Sequence, residues 1–324
     1  MTCNAQVIGD LSCYNGNNSN NEKCDYIELR ALTSADRIFI DNELSDMLFG
    51  PPEDNIRDED KAELYDGNES QLLNLFSILE HRRDRVQENY PFDVENGGIF
   101  LKERLSNKQK IYLVLLCCAN LKIFRECQPL LTNEFESLTY YAIKGFLPNF
   151  EIKKLGYQAD YTGNTGDKLK DLSKDMHVPS YDNEINKISN NASKEKGVDL
   201  VAWYNFENKL PNTIIILIQC TCGRDTTRKQ HETKKYGTFF DFGKYGTNVI
   251  HSLSTPKSSE THVLGDCETM SDFTNGGEGR TLFFDRNKLI QLIGTPNDKL
   301  FDGDISQSID LVNGLIERKL SVSD

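Results

Sequence analysis

Two neighbouring apolar segments in the middle of the chain constrain the fold most strongly, because each has a polar residue at one end. Residues 200–203 read Leu-Val-Ala-Trp directly after Asp199, and the aliphatic run 214–218 ends at Gln219. Short runs of this kind are typical of buried β-strands. A carboxylate and an amide oxygen at the ends of neighbouring strands are ligands that a hard divalent cation prefers. The pattern therefore predicts two adjacent strands that hold a metal site.

The composition is that of a soluble globular protein with enough length for one large domain or two ordinary ones. The chain has 324 residues, 38% hydrophobic residues and a mean hydropathy of −0.54, and such a length buries a substantial core. No apolar run approaches the roughly 18 residues that suggest a membrane span. The first residues also lack the basic flank and apolar stretch of a secretion signal. We therefore expect a cytoplasmic protein with no membrane partner.

The cysteines favour reduced, buried thiols. Nine cysteines are an odd number, and several of them stand in apolar segments, which disfavours a disulfide framework. An alternative stays open in which Cys220, Cys222 and Cys267 bind a structural zinc ion. Their spacing matches no specific zinc pattern, so buried thiols are the preferred interpretation.

The charge distribution argues against a protein coated with basic residues. The formal net charge is −13, which disfavours non-specific nucleic-acid binding over the whole surface. Basic residues are nevertheless concentrated just after the second strand, at Arg224, Arg228, Lys229, Lys234 and Lys235. This stretch predicts either a surface that neutralises a phosphate backbone or a solvated helix face.

Composition and periodicity divide the chain near residue 131. Residues 1–24 are rich in Asn, Gly and Ser and are expected to be loose, and amphipathic helical patterns follow to about residue 131. A helix from Thr132, a strand over 150–155, a polar insertion at 157–196 and the two opening strands come next. We predict an α/β (α+β) protein: an acidic helical domain over 1–131, then a mixed-sheet domain flanked by helices over 132–324.

The order of elements over residues 132–294 resembles the PD-(D/E)XK restriction-endonuclease-like superfamily. There, an acidic helix precedes a strand, an Asp-bearing strand and a strand ending in Glu or Gln, and a helix and a further strand follow. The resemblance implies that Asp199, Gln219, the Cys220 carbonyl and Glu136 bind Mg²⁺ or Mn²⁺. It departs from the pattern at Thr221, where the superfamily has a lysine. Lys229, with Arg228 behind it, is the candidate for a migrated lysine.

The resemblance implies a metal-dependent endonuclease that hydrolyses phosphodiester bonds of DNA, with RNA as a second substrate class and a role in antiviral defence or DNA processing. Lys229 and its basic neighbours would then contact the nucleic acid. The helical domain is expected to bind a protein partner or to mediate self-association. The missing lysine at Thr221 keeps another interpretation open: a nuclease-like fold that no longer cleaves and serves as a nucleic-acid- or protein-binding module.

Overall fold

The chain folds into two compact units, each of which combines helices with a sheet. One unit comprises residues 1–131, 257–266 and 296–324, and the other comprises residues 132–256 and 267–295. The predicted α/β fold class is confirmed. No helix in the described ranges is long and apolar enough to cross a membrane. The computed structural model describes residues 19–34, 38–40, 42–49, 58–188, 197–206, 213–223, 229, 232–244, 246–259, 281–294 and 299–322.

The first unit packs helices around a small antiparallel sheet with the strand order β1-β3-β2. Helix α1 contacts α3, β3 and the C-terminal helix, which also contacts α4. The sequence analysis assigns that last helix to the second domain, whereas the fold groups it with the first. The elements are α1 (Asn20–Thr33), β1 (Ile38–Phe39), α2 (Asn42–Phe49), α3 (Asp58–Val86), β2 (Phe92–Glu95), β3 (Gly98–Leu101), α4 (Asn107–Ala119) and the C-terminal helix (Ser306–Val322).

Helix α1 begins earlier than the sequence analysis predicts. The hydroxyl of Ser19 accepts a hydrogen bond from the Glu22 amide at 3.3 Å, and the Glu22 carboxylate accepts from the Ser19 amide at 3.1 Å. This capping box satisfies two N–H groups at the start of the helix. The prediction of a loose terminus is therefore wrong for residues 20–24, and residues 1–18 lie outside the described part of the chain.

A buried ionic network joins α1 to α3 and α4 in the first unit. Arg82 of α3 is fully buried and pairs with Asp25 at 2.8 Å and Glu28 at 3.1 Å. The Glu28 carboxylate also accepts hydrogen bonds from the hydroxyls of Tyr90 at 2.8 Å and Tyr112 at 2.9 Å. Asp25 and Glu28 are three residues apart on α1 and so lie on one face of the helix. One guanidinium group and two tyrosine hydroxyls thus bind two buried acids.

The second unit is built on a five-stranded mixed sheet with the order β4-β5-β6-β7-β8. Strands β4, β5 and β6 pair antiparallel, whereas β6, β7 and β8 pair parallel. The insertion between β4 and β5, which the sequence analysis expects at 157–196, contains two helices, α6 and α7. The elements are α5 (Gln128–Phe146), β4 (Phe150–Lys154), α6 (Thr165–Met176), α7 (Asp182–Asn186), β5 (Leu200–Tyr204), β6 (Ile214–Cys220), a 3₁₀ helix (Thr233–Thr238), β7 (Asn248–Ser254), β8 (Thr281–Phe284) and α8 (Arg286–Leu292).

Helices cover the two faces of this sheet differently. On one face, Val201 of β5 and Leu217 of β6 pack with Leu169 and Leu172 of α6 in a single core. On the other face, Thr139 of α5 forms a hydrogen bond of 2.9 Å with the hydroxyl of Ser254 on β7. Side chains alternate along a strand. Residue 199, two before Val201, and residue 219, two after Leu217, therefore belong to the face that α6 covers.

The cysteines follow the sequence analysis only in part. Five of them, in buried or half-buried positions, are free thiols. Cys127, however, is disulfide-bonded, so the prediction of reduced cysteines is wrong at that residue. The free thiols are those of Cys24, Cys117, Cys118, Cys220 and Cys222.

Candidate functional site

Backbone hydrogen bonds hold Asp199 between two neighbouring strands. Its amide nitrogen donates to the Ile218 carbonyl of β6 at 2.9 Å. Its carbonyl accepts from Leu155 at 2.7 Å and from Gly156 at 3.3 Å, just beyond the end of β4. The residue is only 7% exposed. These bonds fix Asp199 at the start of β5 against both neighbouring strands, so the sheet itself positions its carboxylate.

The carboxylate of Asp199 accepts two hydrogen bonds from the end of β6. Its Oδ2 lies 2.8 Å from Nε2 of Gln219 and 2.6 Å from the backbone nitrogen of Cys220. The same Nε2 donates to the Cys220 carbonyl at 3.0 Å. The structure therefore brings Asp199, Gln219 and Cys220 into direct contact.

The amide oxygen of Gln219 has no hydrogen-bond donor among the residues that the structure describes. This Oε1 atom is buried. A buried acceptor without a donor costs about 1–3 kcal/mol, so such an atom in a folded protein needs a reason. A cation or a water molecule at Oε1 removes that cost. The atom is thus an available oxygen ligand on a side chain that already contacts Asp199.

Glu136, on helix α5, contacts the segment that follows β4, next to the residues that bind the Asp199 carbonyl. Its Oε2 accepts a hydrogen bond of 2.6 Å from the backbone nitrogen of Tyr157. The carboxylate also lies directly against Gly156, where an added Cβ would overlap Oε2. Because Leu155 and Gly156 bind the Asp199 carbonyl, the three-residue turn 155–157 connects both acids. We call this segment the β4 turn.

The pKa of the Cys220 thiol depends on burial and on the negative charge of the nearby acids. Burial raises its pKa well above the usual value, and the negative charges of Asp199 and Glu136 raise it further. Cys267, the third cysteine of the zinc alternative, lies outside the described residues.

Thr221 occupies the position where the superfamily pattern has its lysine. The residue is 8% exposed, its amide donates to the Ser254 carbonyl at 2.9 Å, and its hydroxyl accepts from the Gly223 amide at 3.2 Å. Its neutral side chain supplies no cation to the site.

Lys229 lies near the entrance to β5 but its charge is paired. Its Nζ is 3.0 Å from Oε2 of Glu232. Glu232 packs against Gly197, where an added Cβ would be 2.5 Å from the Glu232 Cβ. Gly197 has a φ of +90°, a conformation that glycine adopts readily. Lys229 is thus paired with an acid, Glu232, which packs against Gly197, two residues before Asp199.

The other basic residues of the predicted nucleic-acid surface are distributed more widely. Lys234 is half-buried and Lys235 is exposed on the 3₁₀ helix. Burial lowers the pKa of His251 on β7, and the charge of Lys234 lowers it further. Lys234 therefore lies close to β7. Arg224 and Arg228 lie outside the described residues.

Sequence reasoning missed two residues that the structure associates with these acids. Gly156 reads in the sequence only as the end of a strand, although its missing side chain makes room for the Glu136 carboxylate. Lys168 of α6 donates from Nζ to the Leu155 carbonyl at 3.3 Å. The capping pattern of Asn164 and Asp167 could have located the start of α6, but no local signal shows where that helix docks.

The donor atoms suit a hard divalent cation. Asp199 and Glu136 offer carboxylate oxygens, and Gln219 and the Cys220 carbonyl offer neutral ones, the ligand types of Mg²⁺ and Mn²⁺. Across the described residues, no group of three or more His, Cys, Asp or Glu side chains forms a metal cluster. Any cation here would therefore depend on neutral oxygens as well as on acids.

Comparisons with models of known protein families, with curated proteins and with solved structures give no match for this chain.

Proposed function

We propose that the second unit is a metal-dependent endonuclease domain that hydrolyses phosphodiester bonds, with DNA as the preferred substrate and RNA as the alternative. One observation carries the proposal: the buried Oε1 of Gln219 meets no donor in the described part of the chain, and its side chain is hydrogen-bonded to the Asp199 carboxylate. An oxygen atom left without a donor beside a buried acid is a fitting place for a hard cation. Mg²⁺ or Mn²⁺ is the expected metal.

The order of the elements supports the proposal independently. Helix α5 carries Glu136, β4 and β5 follow as an antiparallel pair, and β6 ends at Gln219 and Cys220 before a parallel strand, β7. This is the succession for which the sequence resembles the PD-(D/E)XK superfamily. The polar residues stand at the strand ends where that resemblance expects them.

The residues would have different roles in the site. Asp199, Gln219 and the Cys220 carbonyl would hold the cation, with Glu136 as a further acid near them. A bound cation polarises a phosphoryl oxygen and lowers the pKa of a bound water. Gln219 contributes no charge, so weaker metal affinity is expected than for a pair of acids. A basic side chain near the phosphate would stabilise the charge that develops during cleavage.

The wider assignments belong to the same proposal. Lys229, Lys234, Lys235, Arg224 and Arg228 are candidates for contacting the nucleic-acid backbone. The first unit is the candidate site for a protein partner or for self-association. A cytoplasmic role in antiviral defence or in DNA processing fits such an activity.

Cleavage assays test the proposal. Purified protein is incubated with plasmid, linear duplex, single-stranded DNA and RNA in Mg²⁺, Mn²⁺ or EDTA, next to the Asp199→Ala variant. We expect cleavage that depends on metal and is lost in Asp199→Ala although the variant remains folded. Full activity of that variant would overturn the proposal.

The neutral, buried side chain of Thr221 favours a second candidate, a nuclease-like module that binds but does not cleave. Calorimetry with Mn²⁺ separates the two, because a binding module that has lost catalysis need not retain the cation. Binding of Mn²⁺ that weakens in Asp199→Ala supports the nuclease. Equal heats for both proteins favour the module.

A further inference from the structure

We propose that Lys168, from the inserted helix α6, supplies the phosphate-contacting cation of this site in place of the lysine that is missing at Thr221. The inference rests on the proposed nuclease function and assigns a further catalytic residue to it. Four structural observations carry it: the position of the ammonium group, the sheet face that it occupies, the weakness of its present contact and the commitments of the other nearby lysines.

The ammonium group of Lys168 lies on the β4 turn. Its Nζ is 3.3 Å from the Leu155 carbonyl oxygen, and the Leu155 amide is 2.7 Å from the Asp199 carbonyl. Two residues further on, the Tyr157 amide binds the Glu136 carboxylate. A segment of three residues therefore contacts both acids of the site and the amine of Lys168.

Lys168 also comes from the correct side of the sheet. Its neighbour Leu169 packs in the same core as Leu155 and Val201, on the face to which Asp199 belongs. The first turn of α6 is fixed by reciprocal hydrogen bonds between Asn164 and Asp167, at 3.1 and 3.2 Å. A capped turn holds the backbone of Lys168 in place, and only the side chain has to move to reach a phosphate.

The present contact of Lys168 is weak. A distance of 3.3 Å is beyond the usual range for an N–H···O hydrogen bond, and the acceptor is a neutral carbonyl. Among the described residues, Lys168 makes no ion pair with a carboxylate. Charge-assisted bonds to phosphate are shorter and roughly twice as strong as neutral ones. A phosphate group bound at the site would therefore draw the ammonium away from Leu155.

The other two lysines near the site, Lys154 and Lys229, have different surroundings. Lys154 is 8% exposed and lies under α5, with Nζ 3.3 Å from the Ser137 hydroxyl and 5.0 Å from the centre of the Tyr140 ring. It therefore points to the face opposite Asp199. Lys229 is paired with Glu232 at 3.0 Å. Of these three lysines, Lys168 is the one that lies on the same face of the sheet as Asp199 and whose ammonium group makes a long contact to a neutral carbonyl.

The test compares Lys168→Ala with Lys174→Ala, a control that removes the same charge from an exposed position on the same helix. We expect Lys168→Ala to lower the single-turnover rate of DNA cleavage by about 100-fold or more, and added methylammonium to restore part of that rate. Lys174→Ala should cleave at nearly the wild-type rate. Lys229→Ala is measured beside them.

Binding provides a readout that does not depend on cleavage. In EDTA, the affinity for a duplex is measured by fluorescence anisotropy at several salt concentrations. One lost phosphate contact should reduce the slope of log K against log salt by about 0.9 in Lys168→Ala and leave it unchanged in Lys174→Ala. Loss of cleavage in Lys229→Ala, with none in Lys168→Ala, would overturn the inference and leave the nuclease standing. A wild-type protein that cleaves no substrate would overturn both.

Discussion

Gln219 is the central residue of the proposed site. Its amide stands beside Asp199 where a second acid would provide a charged metal ligand, but the amide carries no charge. Its nitrogen donates to Asp199 at 2.8 Å, and its oxygen accepts from none of the described residues. An acid at this position would place two buried negative charges in contact, and only a cation could relieve their repulsion. The amide therefore lets the site stay folded without metal, at the cost of metal affinity.

Replacing Gln219 with Glu should lower the stability of the metal-free protein and raise its affinity for the metal. Without metal, the new carboxylate loses the hydrogen bond to Asp199 and repels it, so the melting temperature in EDTA should fall below that of the wild type. With Mn²⁺, the added charge should tighten binding, and the rise in melting temperature should exceed that of the wild type. Thermal unfolding with and without Mn²⁺ measures both effects. An identical response of the two proteins to Mn²⁺ would contradict the assignment of Gln219.

A side chain at Gly156 should disturb the contact between the β4 turn and Glu136. A Cβ there overlaps Oε2 of Glu136, so Gly156→Ala must displace the carboxylate or the β4 turn. We expect a loss of about 1–3 kcal/mol in the free energy of unfolding, together with reduced cleavage. Gly237→Ala is the matched control, because a Cβ at that position meets nothing within 4 Å. Urea unfolding compares the two, and equal stabilities would show that Glu136 has room to move.

Sequence patterns locate Asp199 and Gln219 because both stand at the ends of strands that are marked by aliphatic runs. Antiparallel pairing of β5 and β6 then brings them together, which adjacency in the chain already favours. Lys168 and Gly156 could not be found in this way. The role of Lys168 depends on where α6 packs, and the role of Gly156 depends on how the β4 turn contacts α5. Neither packing arrangement can be predicted from the periodicity of nearby residues. The ion pair of Lys229 with Glu232 differs from these two, because it joins residues only three positions apart in the sequence.

At the scale of elements, the ionic network of the first unit shows why α1 belongs to the folded core. Residues 20–24 look loose by composition, yet α1 carries Asp25 and Glu28, which bind Arg82 of α3. The C-terminal helix packs on α1 and α4, so its place in the fold is set by contacts that are distant in sequence. Composition alone cannot reveal either relationship.

Arg82→Met should destabilise the protein strongly. The substitution removes the guanidinium group that pairs with the buried acids Asp25 and Glu28, and breaking a buried ion pair in this way typically costs about 3–5 kcal/mol. Arg85→Ala, at an exposed position one turn further along α3, should change the free energy of unfolding by less than about 0.5 kcal/mol. Urea unfolding measures both variants. A loss below about 1 kcal/mol in Arg82→Met would show that the network contributes little.

Tyr90 should make the protein sensitive to alkali. Burial raises the pKa of its hydroxyl well above the usual value, and the Glu28 charge raises it further. Below pH about 10, the hydroxyl is protonated in both the folded and the unfolded chain. Above that pH the unfolded chain releases the proton and the folded chain retains it, so stability falls by up to about 1.4 kcal/mol per pH unit. The slope of unfolding free energy against pH should be shallower in Tyr90→Phe, and equal slopes would contradict this origin.

At the scale of the whole molecule, the protein and its proposed substrate, DNA or RNA, both carry a net negative charge. The net charge of −13 opposes long-range attraction of nucleic acid. Productive binding would therefore depend on local cations such as Lys168 near the acids. This arrangement also makes binding strongly dependent on salt.

The measurement that tests the central claim most directly is Mg²⁺-dependent cleavage of a supercoiled plasmid by the wild type and by Asp199→Asn. Asparagine keeps the shape of the side chain and an oxygen that can accept from Gln219 and Cys220, but it removes the charge. We predict cleavage by the wild type that EDTA stops, and a rate at least about 100-fold lower in Asp199→Asn at an unchanged melting temperature. Cleavage by Asp199→Asn at the wild-type rate would contradict the account.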